Sequence, residues 1–327
     1  MVTPIAPTNT PTPPTPTPEY SRCPFTGEAM QEPEKALRRP LIVKIGNDKR
    51  SRPQSGLHKA DIVIEHLAEG GITRLDAVYL CQDFEKIGPV RSARLIDIPL
   101  AYLFDGIFAH AGASGGVLWV LNNETNFPRL DETTASPCTL GICEDPKFPK
   151  PYNLFTSTSA LWQIAEEREE WQRPMRVPPL PFGPLDPAIS REARSEILIP
   201  YFVDNRVGWR WDAATQKNLR FLNETPSLEA SSGEQISAAN VIVIWAEHEE
   251  TDIIEDEYNY VHSLRIILNG EGKAAIFRDG YLVPAHWVWA GTGNMLVLLD
   301  ESGALIPLAE GNSWIEVVPP TLEIEAE

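Results

Sequence analysis

Between Arg52 and Ser114 the sequence sets Arg-Pro-Gln-Ser-Gly, Glu-Gly-Gly-Ile-Thr-Arg, Ile-Gly-Pro-Val-Arg-Ser-Ala-Arg and His-Ala-Gly-Ala-Ser one after another, separated by short apolar runs. Arg52, Arg74, Arg91 and Arg94 therefore fall at predicted strand ends. Each guanidinium is a planar fork of donors that matches a carboxylate or phosphate, and turn glycines beside it let a ligand approach the backbone. The pattern predicts an anion-binding site drawn from Asn47, Arg52, Gln54, Arg74, Arg91, Ser92 and Arg94, with Glu65, Glu69, His110 and Ser114 around it. Glu65 and Glu69 have the chemistry of an acid and base pair. Ion pairs of these carboxylates with Arg74 and Arg91 are the structural alternative, because buried arginine networks use the same residue types.

Two further motifs carry chemistry. Gly112-Ala113-Ser114-Gly115-Gly116 has the spacing of a nucleophile elbow and lies between a predicted strand and a predicted helix, so a hydrolase using Ser114 is the alternative function. That chemistry needs a histidine and an acid later in the chain, and no spacing singles out His248, His262 or His286. The simpler reading of Ser114 is a helix N-cap. His248 with Glu247, Glu249 and Glu250 reads as a solvated charge run rather than a metal site, and no cofactor is expected.

The elements that position these residues follow from the apolar spacing. Residues 41–45, 61–67, 75–81 and 106–111 read as strands, 95–104 and 115–122 as helical, and 159–171 as an amphipathic helix. Six prolines between 174 and 187 interrupt the pattern. Beyond them lie short strands at 207–211, 217–222, 241–245, 264–268, 274–278, 281–283, 295–299 and 314–318, with Asn269-Gly270, Asp279-Gly280 and Ser302-Gly303 as turns. The acidic run 252–260 is expected to be a solvated loop, since like charges resist compaction. The fold class is α+β / α/β: a Thr/Pro stalk over 1–20, an N-terminal α/β layered domain over 21–172, a Pro-rich linker over 173–190 and a mostly β C-terminal domain over 191–320.

A net charge of −18 argues against nucleic acid as a partner, because phosphate binding requires a basic face. No apolar run is long enough for a transmembrane helix. The Thr-Pro repeats of the first twenty residues have nothing to bury, suit a stalk between an anchor and a folded body, and imply a targeting peptide removed from ahead of them. Of the four cysteines, Cys138 and Cys143 bracket a short loop that a disulfide would order, whereas Cys81 ends an apolar run and reads as a buried free thiol.

Taken in order, Arg39-Pro-Leu-Ile-Val-Lys-Ile-Gly-Asn-Asp, Arg52-Pro-Gln-Ser-Gly-Leu, Glu69-Gly-Gly-Ile-Thr-Arg, Ile87-Gly-Pro-Val-Arg-Ser-Ala-Arg, Tyr152-Asn-Leu-Phe-Thr-Ser and, later, Gly233-Glu-Gln-Ile-Ser-Ala-Ala-Asn-Val and Gly311-Asn-Ser-Trp-Ile resemble the YerB-like family of bacterial lipoproteins, whose function is largely unassigned. The resemblance implies an extracytoplasmic, lipid-anchored protein of two domains whose partner is a cell-wall fragment or an envelope protein. It also implies two departures: Gly46 stands where an aspartate is usual and Ser227 where a histidine is usual.

Overall fold

Leu41-Ile-Val-Lys-Ile-Gly is buried at all six positions, the pattern of a strand covered on both faces. In the computed structural model, which describes residues 20–134, 138–168, 171, 173, 178–256 and 258–327, this strand lies within an eleven-stranded mixed sheet. We label the main strands β1 (Leu41–Gly46), β2 (Ile62–Leu67), β3 (Thr73–Tyr79), β4 (Ile107–His110), β5 (Arg129–Asp131), β6 (Glu196–Phe202), β7 (Asn205–Asp212), β8 (Lys217–Leu222), β9 (Asn240–Trp245), β10 (Glu247–Asp256), β11 (Val261–Ile267), β12 (Gly270–Arg278), β13 (Tyr281–Trp289), β14 (Val297–Leu299) and β15 (Ser313–Val318). The helices are α1 (Asp97–Leu103), α2 (Gly115–Asn123) and α3 (Thr158–Glu167). The N-terminal part is a mixed sheet with helices, and the C-terminal part is strand-rich.

The large sheet runs β14-β13-β12-β9-β15-β2-β3-β1-β4-β5, with Glu192–Ala193 also pairing on β13. Its centre is the parallel pair of β2 with β15, in which Glu65 faces Glu316 across the ladder. The last long strand of the chain thus completes a sheet begun near its start. Alternate residues of β1 feed two cores: Ile42 joins Ile62, Val78, Leu100, Phe104 and Ile242, under α1 and α2. Val43 joins Val63, Ala77, Leu161, Trp209 and Val243, under α3 and a second sheet built on β6, β7 and β8. Each core contains side chains from both halves of the chain.

Three features differ from the sequence-based expectations. Cys81 is not a free thiol; it is bonded to Cys23, because the lead-in folds back through Cys23 N–H to Glu28 O and Met30 N–H to Ser21 O along the end of β3, with Phe25 edge-on to Phe104. The bridge expected across the short loop, Cys138 to Cys143, is the second disulfide and is not among these differences. The acidic run is not a solvated loop, since most of it belongs to β10, which pairs with β11 as a hairpin arm. Ile253 of that arm packs where a side chain at Gly116 would collide, and Glu255 meets an arginine of the N-terminal half, so opposite charge offsets the repulsion. Finally, β6 was not foreseen, and β13 continues past Pro284. There, its outer partners pair only at Tyr281–Leu282 and His286–Val288, so the missing proline N–H faces a gap in the ladder. The Thr/Pro stalk, apart from Tyr20, and part of the Pro-rich linker lie outside the described residues.

Candidate functional site

Successive residues of a strand point to opposite faces, and β2 uses this to feed two separate charged clusters. Glu65 points toward the second sheet, and His66 toward α1. Neither carboxylate nor ring is exposed.

Glu65 accepts from Asn47 Nδ2 (3.0 Å), Thr73 Oγ1 (2.7 Å), Arg220 Nη2 (2.8 Å) and Trp314 Nε1 (3.2 Å). Behind Asn47, Gln54 Nε2 donates to Asn47 Oδ1 at 2.8 Å and Arg52 Nε donates to Asn47 O at 3.0 Å. Arg220 also donates to Ser227 Oγ at 2.7 Å, which gives the serine at that position a direct role in holding the guanidinium. On the adjoining strand Glu316 accepts from Tyr201 OH (2.9 Å) and Trp209 Nε1 (2.8 Å). Burial, then the neighbouring Glu65, push the Glu316 carboxyl well above its ordinary range. Four predicted site residues, Asn47, Arg52, Gln54 and Glu65, therefore meet in one closed network that links the two halves.

On the other face Lys44 Nζ lies 2.7 Å from His66 Nε2, 2.9 Å from Asp76 Oδ2 and 2.5 Å from Asp97 Oδ1. The ligand atoms of His66, Asp76 and Asp97 are close enough to surround a cation, and the lysine ammonium stands among them. Burial, then Lys44, depress the His66 imidazole to about 3. Burial, then Asp76, raise the Asp97 carboxyl to about 6. Asp97 Oδ2 accepts the N–H of Arg94 at 2.6 Å and so fixes the loop that carries the outer arginines.

Those arginines form the third group. Arg94 Nε donates to Glu69 Oε2 at 2.6 Å, and its Nη1 is 3.5 Å from Glu255 Oε2 on the hairpin arm. Arg91 donates to Pro151 O at 2.8 Å and lies over the Tyr152 ring, with a buried Nε that has no partner. Arg74 is the outlier. Only 6% exposed, it reaches its neighbour Thr73 O at a long 3.4 Å, stands 3.9 Å from Asp48 Oδ2, and buries an Nε that has no partner among the described residues. Burial, then the charges of Arg94 and Arg91, pull its pKa down to about 10. A Cβ at Gly46 would lie 2.7 Å from Arg91 Cγ and 2.3 Å from Ser51 Oγ, so the glycine admits the Arg91 stem across the end of β1. Ser92 is half-buried in the same loop.

The remaining predicted residues sit apart from that guanidinium. His110 is buried, stacked on Phe108, with Nδ1 3.0 Å from Gly112 O and Nε2 without a partner. Burial lowers its pKa although Asp131 opposes this. Ser114 caps α2 by accepting the N–H of Val117 and lies beside Glu255; among the described residues it has no histidine partner. His248 hydrogen-bonds Ala246 O, and His262 hydrogen-bonds Thr251 O. The expected pairing of Glu65 and Glu69 with Arg74 and Arg91 is replaced by Glu65 with Arg220 and Glu69 with Arg94. The reason is direction: Glu65 and Arg74 project from opposite faces of the sheet. The larger cavities lie elsewhere, one of about 500 Å³ between Tyr102, Asp105, Phe127 and Arg173.

Sequence reasoning missed Lys44, Asp76, Arg220 and Glu316. For Lys44 and Glu316 the signal was one charged residue inside an otherwise apolar run, as in Leu-Ile-Val-Lys-Ile and Ser-Trp-Ile-Glu-Val-Val.

Compared with known proteins, residues 25–172 match the family described as protein of unknown function (DUF3048) N-terminal domain, and residues 197–315 match its C-terminal domain. YerB of Bacillus subtilis (strain 168), a lipoprotein by its name, is 30% identical over 308 residues, covering 91% of this chain and 86% of the relative. The crystal structure of the YerB protein from Bacillus subtilis superposes with a TM-score of 0.78 at 28% identity, covering 93% of this chain and 99% of that one.

Proposed function

From the premise that this chain belongs to the DUF3048 family, matching both of its domains, we propose that it is an extracytoplasmic, lipid-anchored protein that binds a carboxylate-bearing ligand at the cluster of Arg74, Arg91 and Arg94. The observation that carries the reading is the state of Arg74. A guanidinium so deeply buried normally has its donors filled, and leaving its Nε unpaired is costly. A ligand carboxylate would supply the missing acceptors. The aspartate that the family resemblance implies at position 46 is absent, so the chain supplies no carboxylate from that position, and the Arg91 stem occupies the space instead.

Asp48, Glu69 and Glu255 ring the cluster and would repel a doubly charged anion, so a single carboxylate suits it better than phosphate. A cell-wall peptide presents such a group. The location is supported by the lipoprotein name of the relative and by two disulfides, which persist in oxidising compartments. No helix among the described residues is long and apolar enough to cross a membrane.

The test is thermal denaturation with muramyl dipeptide, its carboxamide analogue and inorganic phosphate at one ionic strength. Saturable stabilisation by the dipeptide, weaker with phosphate and lost with the amide or in Arg74→Gln, is the expected result. Equal shifts with all three compounds, or none, would overturn the reading.

A further inference from the structure

Asp61 immediately precedes β2 and is wholly buried. Its Oδ2 accepts the N–H groups of Leu80 (2.6 Å) and Cys81 (2.9 Å), which ties the start of β2 to the end of β3. Its Oδ1 is aimed at Cys23 Sγ, 3.9 Å away. A disulfide sulfur carries no hydrogen, so in the oxidised protein this oxygen faces an atom that cannot donate to it. On reduction the same sulfur becomes a thiol or thiolate, which can exchange a proton with Oδ1. The charged groups around Asp61 are Arg38, which favours its ionised form, and Glu28, which disfavours it; burial dominates and brings the carboxyl to about 7.

The disulfide is also reachable. Cys23 and Cys81 both line a cavity of about 430 Å³ whose wall includes Thr26, Glu28, Lys35 and Gln82, a size that admits a small molecule. Lys35 is paired with Glu32 and Asp83, and Arg38 with Asp83, so the cationic groups at this end are already neutralised and leave the thiol chemistry to Asp61.

We propose that Cys23–Cys81 is a redox-active disulfide that exchanges with a small dithiol entering this cavity, and that Asp61 is the buried proton carrier for Cys23. One thiolate of the dithiol attacks Sγ of Cys81, the more exposed cysteine at 8% against 3%. The new sulfur–sulfur bond forms as the Cys23–Cys81 bond breaks, the electron pair leaves on Cys23 Sγ, and the Asp61 carboxylic acid protonates that sulfur. The second thiol of the dithiol, deprotonated by water, then attacks its own sulfur in the mixed disulfide. Cys81 leaves as a thiolate and is protonated from water, as is the Asp61 carboxylate. The dithiol loses two electrons and two protons, and the protein disulfide gains them. The reverse sequence oxidises a dithiol.

The experiment treats the full chain with dithiothreitol without denaturant, quenches with a maleimide at intervals and maps the labelled cysteines by mass, with circular dichroism on the same samples. Cys23 and Cys81 should label together while the dichroism is unchanged. The rate per thiolate should fall as pH rises through about 7, because the acid form of Asp61 disappears. In Asp61→Asn that rate should be about tenfold or more lower and lose this pH dependence. Should Asp61→Asn fail to fold, the wild-type profile decides alone. Labelling that appears only as the dichroism collapses, or a wild-type rate per thiolate flat from pH 6 to 8, would mean a structural staple and overturn the proposal.

Discussion

Glu65 and Arg74 are both charged, both buried and both near the edge where β2 turns into β3, yet their surroundings differ in kind. Glu65 receives four donors, including the opposite charge of Arg220. Arg74 has one long hydrogen bond and one distant carboxylate. A charge whose partners all come from the protein is complete, and its removal is felt by the fold. A charge left short of partners retains affinity for something outside the chain. Burial alone does not distinguish the two; the count of satisfied atoms does.

The contrast is broken most severely at Arg220. Replacing it by leucine strands the Glu65 carboxylate beside Glu316, both of them buried at the seam between β2 and β15, and should cost about 3–5 kcal/mol in denaturant unfolding. Adding Glu65→Gln removes the stranded charge and should recover a large part of that loss. Because the pair joins a strand of the N-terminal half to one of the second sheet, the single variant should still unfold in one transition. A loss below about 1 kcal/mol would place Glu65 and Arg74 in the same class and remove the argument for a special cluster.

How much of this was legible in the sequence depends on whether the signal was local. The strands around Ile42, Val63 and Val243 and the cap at Ser114 follow from period and composition within a few residues. The choice of partner is not local. Nothing near Glu65 in the chain announces Arg220, because their meeting depends on β15 inserting beside β2 and bringing the second sheet over that face. Cys23 and Cys81 were obscure for the same reason, being joined across 58 positions. The arginines were legible as a group because they sit on consecutive strand ends, but which one lacks partners was not. The hairpin arm was misread because repulsion within the acidic run 252–260 was weighed without Arg94, its cation from the other half.

A second, smaller test asks whether the Lys44 cluster belongs with the completed charges. The His66 pKa falls from its ordinary 6.5 to about 3 on folding, so His66 favours the folded state above pH 6.5 and withdraws that contribution as pH falls toward 3. Asp97 runs the other way, from 3.8 up to about 6, and its contribution is present below pH 3.8 and lost as pH rises through 6. Between pH 7.5 and pH 5, His66→Gln should therefore gain on the wild type by about 2 kcal/mol, and Asp97→Asn should lose ground by about 1 kcal/mol. Urea unfolding at the two pH values measures both. Opposite signs are the signature of a buried cluster, and no change in either difference between the two pH values would show that these groups titrate as exposed ones.

The smallest effect on stability, and the sharpest on binding, is expected at Arg91. Among the described residues its guanidinium bonds only the Pro151 carbonyl and rests on Tyr152, and its stem crosses Gly46, so Arg91→Ala removes packing but strands no carboxylate. Such a change should cost about 1 kcal/mol or less, a shift of a few degrees in the thermal midpoint. If Arg91 helps Arg74 hold a ligand carboxylate, the same substitution should weaken muramyl dipeptide binding by roughly ten- to hundredfold, the equivalent of about 1.5–3 kcal/mol for a charged hydrogen bond. Titration calorimetry on wild type and variant separates the two quantities. A variant that melts far below wild type would put Arg91 with Glu65 among the completed charges, and one that binds as well as wild type would confine the cluster to Arg74 and Arg94.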